Sequence, residues 1–588
     1  MPLDDPAQGT GTLVSIRQPL YFEGLFGWFH SPAGLARDCV AVLCAPVGPE
    51  YTRAHRTLRH LADRLAAAGV PCLRFDYEGT GDSAGDEDDA DRIGHWRRSI
   101  VAAAREARRL SGRERVCLVG VRMGATLAAL EAEAIGAGLL VLWNPVVKGR
   151  AYARELQAMA MTAGTTPTEG DEGLEAGGFR VSRETLDALR GLDLAGVALP
   201  PASRVLLLDR DDMGADPSLA ERLSSDGIDH RRATAPGWNA MMADHQFTVV
   251  PEGALDGIVA WVERETGPRS VAAVAAPGTT SGSDLPQQGF DERLARFGSD
   301  RHLFGIVSRP ILPSGKPAVV LLDAGSIHHS GPHRLYTRLA RELALRGHPV
   351  LRFDFEGIGD SVLRGAGREN HPYVATAMPD IEAALDHLRE TEGCDRFVLV
   401  GICSGAYHVF RAGLEVRDAG IERLVAINPW YFHWREGLSL DTTVNHYESV
   451  AAYRASARDP RRWMKLLRGE VDLMRLARVG WAHMAKTLRG RWDELREVIS
   501  PASGTRLSQD LRALAELRRP LHLFQADGEP AETIMGTEAA LASRRLARAG
   551  LLHVERIRGA DHTFSRSTHR AELITRIAEI IGVRLQLS

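Results

Sequence analysis

Cys403 sits in the middle of Gly401-Ile402-Cys403-Ser404-Gly405, directly after the apolar run Phe397-Val398-Leu399-Val400. Four apolar residues followed by this pattern read as a buried strand ending in a sharp turn, with a helix beginning near Ala406. Such a turn needs small residues on both sides of its tip, because its backbone is strained and strand and helix approach closely. Cys403 would then face a helix N-terminus, whose dipole favours a thiolate, the nucleophilic form. The competing reading is a buried structural thiol beside an ordinary glycine turn. The other five cysteines have no such setting. Cys39, Cys44, Cys72 and Cys117 lie in or beside apolar strand-like runs, and Cys394 precedes a strand. None has metal-ligand spacing, so neither a metal nor another cofactor is expected.

The elements that must position this turn recur along the chain. Leu25 to Phe29, Cys39 to Cys44, Val70 to Phe75, Arg115 to Val119 and Leu139 to Leu142 read as strands. Helical periodicity runs from Arg56 to Ala68 and over about 95–110. The order then repeats. Leu303-Phe304-Gly305 repeats Leu25-Phe26-Gly27, and Arg352 to Ser361 repeats Arg74 to Ser83, both at an offset of 278. Gly401 to Gly405 repeats Gly120-Val121-Arg122-Met123-Gly124 at 281, and Asn428-Pro429 repeats Asn144-Pro145 at 284. Ala560-Asp561-His562-Thr563-Phe564 repeats Ala243-Asp244-His245-Gln246-Phe247 at 317. Ordered matches with small drift imply a duplicated domain. The final jump implies an insertion in the second copy, over about 430–520.

Strands alternating with helices predict two α/β domains, each a mostly parallel sheet flanked by helices, with helical lid insertions. The expected boundaries are 1–265 and 291–588, joined by a linker over 266–290 that is rich in Ala, Gly, Pro, Ser and Thr. A chain of 588 residues is too long for one core. Its net charge of -4 argues against general nucleic-acid binding. No signal-peptide pattern and no run of 18 apolar residues is present, so a cytoplasmic protein without a membrane partner is expected.

The strand-turn-helix around Cys403, the Gly-x-Gly-Asp-Ser loops and the late Asp and His resemble the α/β-hydrolase superfamily, twice over. The first copy resembles the hydrolase-like proteins associated with exosortase systems, in Pro46-Val47-Gly48-Pro49-Glu50-Tyr51, Trp143-Asn144-Pro145-Val146-Val147 and Gly120-x-Arg122-x-Gly124. The second copy is similar to Cys-nucleophile members such as dienelactone hydrolases only in the Cys at its turn.

The resemblance implies the chain order nucleophile, acid, base. Asp527 ends the strand-like Leu521 to Ala526, and His562 follows Val554 to Ile557, so the implied triad is Cys403, Asp527 and His562. His562 would take the thiol proton, and Asp527 would hold the imidazole and stabilise its cation. Asp561 is a rival acid. Two backbone N–H groups should form an oxyanion hole: Ser404, and Gly325 or Ser326 from the loop after the early strand. His328 and His329 lie near the expected pocket mouth, as substrate contacts or as solvated loop histidines. The first copy has Asp211 and His245, but Arg122 where the nucleophile belongs. A guanidinium stays protonated and cannot attack a carbonyl, so this site is expected to be dead, with Arg122 pairing with Asp211 or an anion.

The insertion carries Trp430, Trp434, Trp463, Trp481 and Trp492, with 17 Lys/Arg against 11 Asp/Glu, and looks helical from about Pro460 to Val498. A basic aromatic lid, with Trp430 against the substrate, would suit an acyl carrier protein or the phosphates of acyl-CoA; a solvated basic face with core tryptophans is the bland alternative. A Cys nucleophile makes exchange with a thioester nearly isoenergetic. The leading expectation is therefore acyl transfer to, or hydrolysis of, an activated acyl thioester. The alternatives are an ester or lactone hydrolase, and a paired scaffold or binding module whose cysteine is incidental.

Overall fold

The protein was analysed as a computed structural model that describes residues 16–162, 173–214, 216–269, 271–272, 284–312, 314–365, 367–435, 437–438 and 504–582. The chain divides into two compact units, Met1–Pro286 and Gln287–Ser588. The cut falls inside the span expected to be a linker. Part of that span is ordered on the first unit, where Val271–Ala272 pairs antiparallel with Leu35–Ala36.

In the first unit the main strands are β1 (Ile16–Phe22), β2 (Leu25–Ser31), β3 (Cys39–Cys44), β4 (Cys72–Phe75), β5 (Arg115–Val121), β6 (Leu139–Trp143), β7 (Arg204–Arg210) and β8 (Asp229–Ala235). They lie in the order β1-β2-β4-β3-β5-β6-β7-β8. β1, β2 and β4 pair antiparallel; every later neighbour is parallel. The helix expected from Arg56 begins earlier and spans Pro49–Ala67. Pro49 starts it because a ring-fixed φ and a missing N–H cost nothing in the first helical turn.

In the second unit β9 (Phe290–Phe297), β10 (Leu303–Pro310), β11 (Ala318–Leu322), β12 (Val350–Asp354), β13 (Phe397–Ile402), β14 (Ile421–Ile427), β15 (Leu521–Gln525) and β16 (Leu552–Arg556) run β9-β10-β12-β11-β13-β14-β15-β16. Again only the leading pairs are antiparallel. Both units are therefore mostly parallel sheets flanked by helices. Parallel strands are buried on both faces, and β13 shows it: Phe397 and Leu399 join one apolar cluster with Phe410, while Val398, Val400 and Ile402 join another with Leu335 and Phe564.

Of the expected lid, residues 439–503 lie outside the described residues, and with them Trp463, Trp481, Trp492 and the helix expected from Pro460. The described end is the helix Arg506–Glu516, capped where the Ser508 N–H donates to Thr505 Oγ1 at 3.1 Å. Among the described residues no helix is long and apolar enough to cross a membrane.

Candidate active site

β13 delivers Cys403 to a strained turn. Its backbone has φ 58° and ψ -119°, a region that non-glycine residues rarely visit, and it stands at the N-cap of the helix Ser404–Glu415. Two close approaches hold it there. A Cβ on Gly405 would lie 2.4 Å from the carbonyl oxygen of Leu322, and one on Gly401 would lie 2.4 Å from the backbone of Gly405. The Cys403 N–H donates to Ile427 O at 2.9 Å.

His562 completes the pair from the loop after β16. Its Nδ1 lies 2.9 Å from Glu529 Oε1, an ion pair in which the carboxylate is 7% exposed. Burial alone would lower the imidazole pKa. The charge and hydrogen bond of Cys403 and the Glu529 carboxylate outweigh it and raise His562 to about 10. Nε2 is buried and makes no hydrogen bond among the described residues. Two further groups fix the ring. Asn428 Nδ2 donates to the His562 carbonyl oxygen at 2.7 Å, while its Oδ1 accepts the Ala526 N–H at 2.8 Å. Trp430 lies tilted against the imidazole, with ring centroids 4.4 Å apart. This aromatic face favours a cationic ring.

Asp527, expected to hold the imidazole, is not the carboxylate found against His562 Nδ1. Asp527 is exposed, and its Oδ2 accepts the Gly559 N–H at 2.7 Å, which braces the loop before His562 without touching the imidazole. Gly528 at φ 85° then turns the chain, and Glu529, two residues after Asp527, meets the Nδ1 edge of the ring. Asp561 is no acid for His562 either; it accepts the Thr563 and Ser565 N–H groups at 3.1 and 2.9 Å.

The expected oxyanion donors divide. Ser404 begins the helix, where backbone N–H groups have no intrahelical acceptor. Gly325, by contrast, spends its N–H on Ser404 Oγ at 2.8 Å. Ser326 has φ 66°, and its hydroxyl donates to Asn370 O at 3.0 Å. His328 and His329 are not solvated. Both are buried, His329 with its Nδ1 2.9 Å from Asp354 Oδ2, and His328 with its Nε2 3.4 Å from Ser330 Oγ.

Sequence reasoning missed Tyr373. Its hydroxyl is buried and has no hydrogen-bond partner among the described residues. The ring stacks on Trp434, with centroids 4.0 Å apart and planes 8° apart, and meets Tyr407 edge-on. Burial raises its pKa well above the ordinary phenol value, and the charge of Cys403 raises it further. Tyr373, Tyr407 and Trp434 line a cavity of about 760 Å³ whose wall also carries Glu356, Arg368 and His371. No marker in chain order points to Tyr373, which comes from the long loop after β12.

The first unit keeps the turn but has Arg122 at its tip. Arg122 has φ 51° and ψ -122°. Its guanidinium does not reach Asp211: Nε donates to Glu50 Oε1 at 2.9 Å, Nη2 pairs with Glu155, and the group lies 5.4 Å from the centre of the Tyr152 ring. Asp211 instead accepts the Gly237 and Trp238 N–H groups at 2.9 and 3.3 Å, the bracing role that Asp527 plays. His245 Nε2 lies 2.8 Å from Thr52 Oγ1, and burial lowers its pKa to about 4.

Comparison with known proteins reaches the same class from another side. Residues 319–576 match the family described as Alpha/beta hydrolase family, and residues 51–168 match the one described as Serine aminopeptidase, S33. With the two sheets and the strained turns, these matches give both units an α/β-hydrolase fold. No curated protein matches the sequence. Similar solved structures include an α/β serine hydrolase without lid from Xanthomonas campestris, at 16% identity over 46% of this chain and 100% of that one, with TM-score 0.29. Est1E from Butyrivibrio proteoclasticus with ferulic acid bound is 17% identical over 42% and 99%, with TM-score 0.33. The Pyrococcus furiosus esterase Pf2001 is 16% identical over 50% and 92%, with TM-score 0.30.

Proposed function

We propose that the second unit is a cysteine-dependent enzyme that forms an acyl-enzyme from an activated acyl thioester and passes the acyl group to water or to an acceptor. One observation carries this reading: Cys403 stands on a strained turn beside a histidine whose far nitrogen is held by a buried carboxylate. Cys403 Sγ bonds to the acyl carbon, and the carbonyl π electrons move to oxygen. The His562 proton goes to the leaving thiolate as its bond to carbon breaks. A water, alcohol or amine then attacks the thioester, His562 takes its proton, and Cys403 leaves. Glu529 stabilises the imidazolium in both halves. The Ser404 N–H serves the oxyanion, and the Tyr373 hydroxyl is the second donor while Gly325 is committed to Ser404 Oγ. Arg368 and His371 beside Tyr373 support a phosphate-bearing donor, an acyl-CoA or an acyl carrier protein. The first unit, a non-catalytic copy of the same domain, contributes no nucleophile.

Hydrolysis of an oxygen ester or lactone is the second reading, favoured by the match to a hydrolase family. Intact-mass measurement after incubation with acyl-thioester panels separates the two. The expected result is one added acyl group, absent in Cys403→Ala. Turnover of aryl esters with no thioester adduct would favour ester hydrolysis, and turnover unchanged in Cys403→Ala would remove the cysteine mechanism altogether.

A further inference from the structure

Three buried side chains of the second unit that the proposed reaction does not use converge on one point: His302, Glu356 and Asp380. His302 ends the turn between β9 and β10, Glu356 follows β12, and Asp380 lies in the first turn of the helix Ala377–Glu392. Their ligating atoms all lie within 4.8 Å of one another. His302 Nε2 is 3.6 Å from Asp380 Oδ1 and 3.9 Å from Glu356 Oε2. Both distances are too long for hydrogen bonds, and Nε2, although buried, makes none among the described residues.

The other ring nitrogen explains the orientation. His302 Nδ1 lies 2.7 Å from the carbonyl oxygen of Ser299. A carbonyl only accepts, so Nδ1 carries the hydrogen and Nε2 is the atom turned towards the two carboxylates. Two carboxylates and an imidazole nitrogen at this spacing are held together by a positive charge among them. A backbone carbonyl on the remote nitrogen is also the usual partner of a metal-binding histidine. Bonds of about 2.1 Å from one imidazole nitrogen and two carboxylate oxygens to a tetrahedral ion would set these atoms about 3.4 Å apart, close to the separations seen.

We propose that His302, Glu356 and Asp380 bind one divalent cation, Zn²⁺ by the chemistry of the donors, which ties the hairpin, the loop after β12 and the helix Ala377–Glu392 together. The carboxylates are already aimed. Asp380 Oδ2 accepts the Glu356 N–H at 3.0 Å, and Glu356 accepts Arg364 N–H and Nη2 at 2.7 and 3.0 Å. Arg364 competes with the ion for Glu356 and moderates its affinity. Because Glu356 also lines the cavity beside Tyr373, the ion would set the shape of that wall. The site belongs to the second unit alone: at the offset of 278 the first has Gly24 in place of His302.

The test uses the full-length chain, stripped with a chelator and titrated with Zn²⁺ by calorimetry. One equivalent should bind to the wild type and to Cys403→Ala, and at least tenfold more weakly to His302→Gln and to Asp380→Asn. Saturating Zn²⁺ should raise the wild-type melting temperature and leave those two variants unmoved. No binding, or equal binding by wild type and both variants, overturns the proposal. Should a variant fail to fold, Co²⁺ in the wild type decides. Four-coordinate d–d bands without a thiolate charge-transfer band support the site, and a thiolate band places the ion on a cysteine and refutes it.

Discussion

Arg122 and Cys403 occupy turns with nearly the same backbone angles, φ 51° and ψ -122° against φ 58° and ψ -119°. Around these two turns the side chains do opposite things. In the second unit a carboxylate and a thiol pull His562 up to about 10; in the first, burial pushes His245 down to about 4. The strain therefore belongs to the backbone, where glycines let strand and helix meet, and it is kept whether or not chemistry follows. Around the turn, three matching positions differ in type: Cys403 for Arg122, Glu529 for Met213 and Trp430 for Val146. The shared residues brace. Asp527 and Asp211 take loop N–H groups, and Asp354 and Asp76 take the Asp360 and Asp82 N–H groups at 2.7 and 2.9 Å.

The sharpest way to break the comparison is to exchange the two carboxylate roles. Glu529→Gln keeps shape and removes charge, so kcat/KM should fall about 10³- to 10⁴-fold, the scale seen when the third member of a triad loses its charge. Asp527→Asn should cost less than about tenfold and show mainly as lower stability, because a braced loop is weakened. Steady-state kinetics on the acyl donor, with melting curves for both variants, gives the answer. The opposite ranking would return the acid to Asp527.

The two histidines also predict opposite pH limbs. His562 has a folded pKa above the ordinary 6.5. Its stabilising contribution is fully present below that value and is lost as pH rises through about 10. His245 has a folded pKa below 6.5, so its neutral form costs nothing above that value, and the unit weakens as pH falls from 6.5 towards about 4. Calorimetry between pH 4 and pH 10 should show His245→Gln flattening only the acid limb and His562→Gln only the alkaline one. A common response in both variants would mean that the histidines do not differ in setting.

Where the units agree, matched variants should agree. A Cβ on Gly405 meets the Leu322 carbonyl oxygen at 2.4 Å, and one on Gly124 meets the Cys44 carbonyl oxygen at 2.2 Å. Gly405→Ala and Gly124→Ala should each cost roughly 3 kcal/mol, read from denaturant unfolding, with activity lost only in the first. A difference of more than about 1.5 kcal/mol between them would show that the turns are not equivalent packing problems.

The sheets and turns were legible in the sequence because they rest on local signals: apolar runs, paired glycines and an ordered repeat. The choice of acid was not. The resemblance pointed to the carboxylate just after β15, Asp527, whereas the carboxylate that reaches His562 stands where the two units differ, Met213 against Glu529. Which carboxylate reaches His562 depends on the positive φ of Gly528, which no pattern along the chain reports. Tyr373 was illegible for a related reason: its place beside Cys403 follows from the packing of Trp434 and Tyr407, residues far apart in sequence. The chemistry of a guanidinium bars Arg122 from nucleophilic attack. Its partners, Glu50 and Glu155, come from helices whose facing sides the sequence did not pair.

The smallest expected effect tests whether a turn and a thiol suffice. Arg122→Cys would place a cysteine on the strained tip of the first unit, yet no activity above background should appear when Cys403→Ala silences the second. His245 is engaged with Thr52, and Met213, 63% exposed, offers no carboxylate. Without an imidazolium, the new thiol has no neighbour to lower its pKa beyond the helix N-terminus. The substitution also leaves Glu50, half-buried against the guanidinium, without its ion-pair partner, which should lower the stability of that unit. Iodoacetamide labelling followed by peptide mass analysis would compare the two thiols directly. Cys403 in the wild type should label at neutral pH much faster than Cys at position 122 in Arg122→Cys/Cys403→Ala. Equal labelling rates would mean that the turn alone activates a thiol and that the Glu529–His562 pair adds nothing to it.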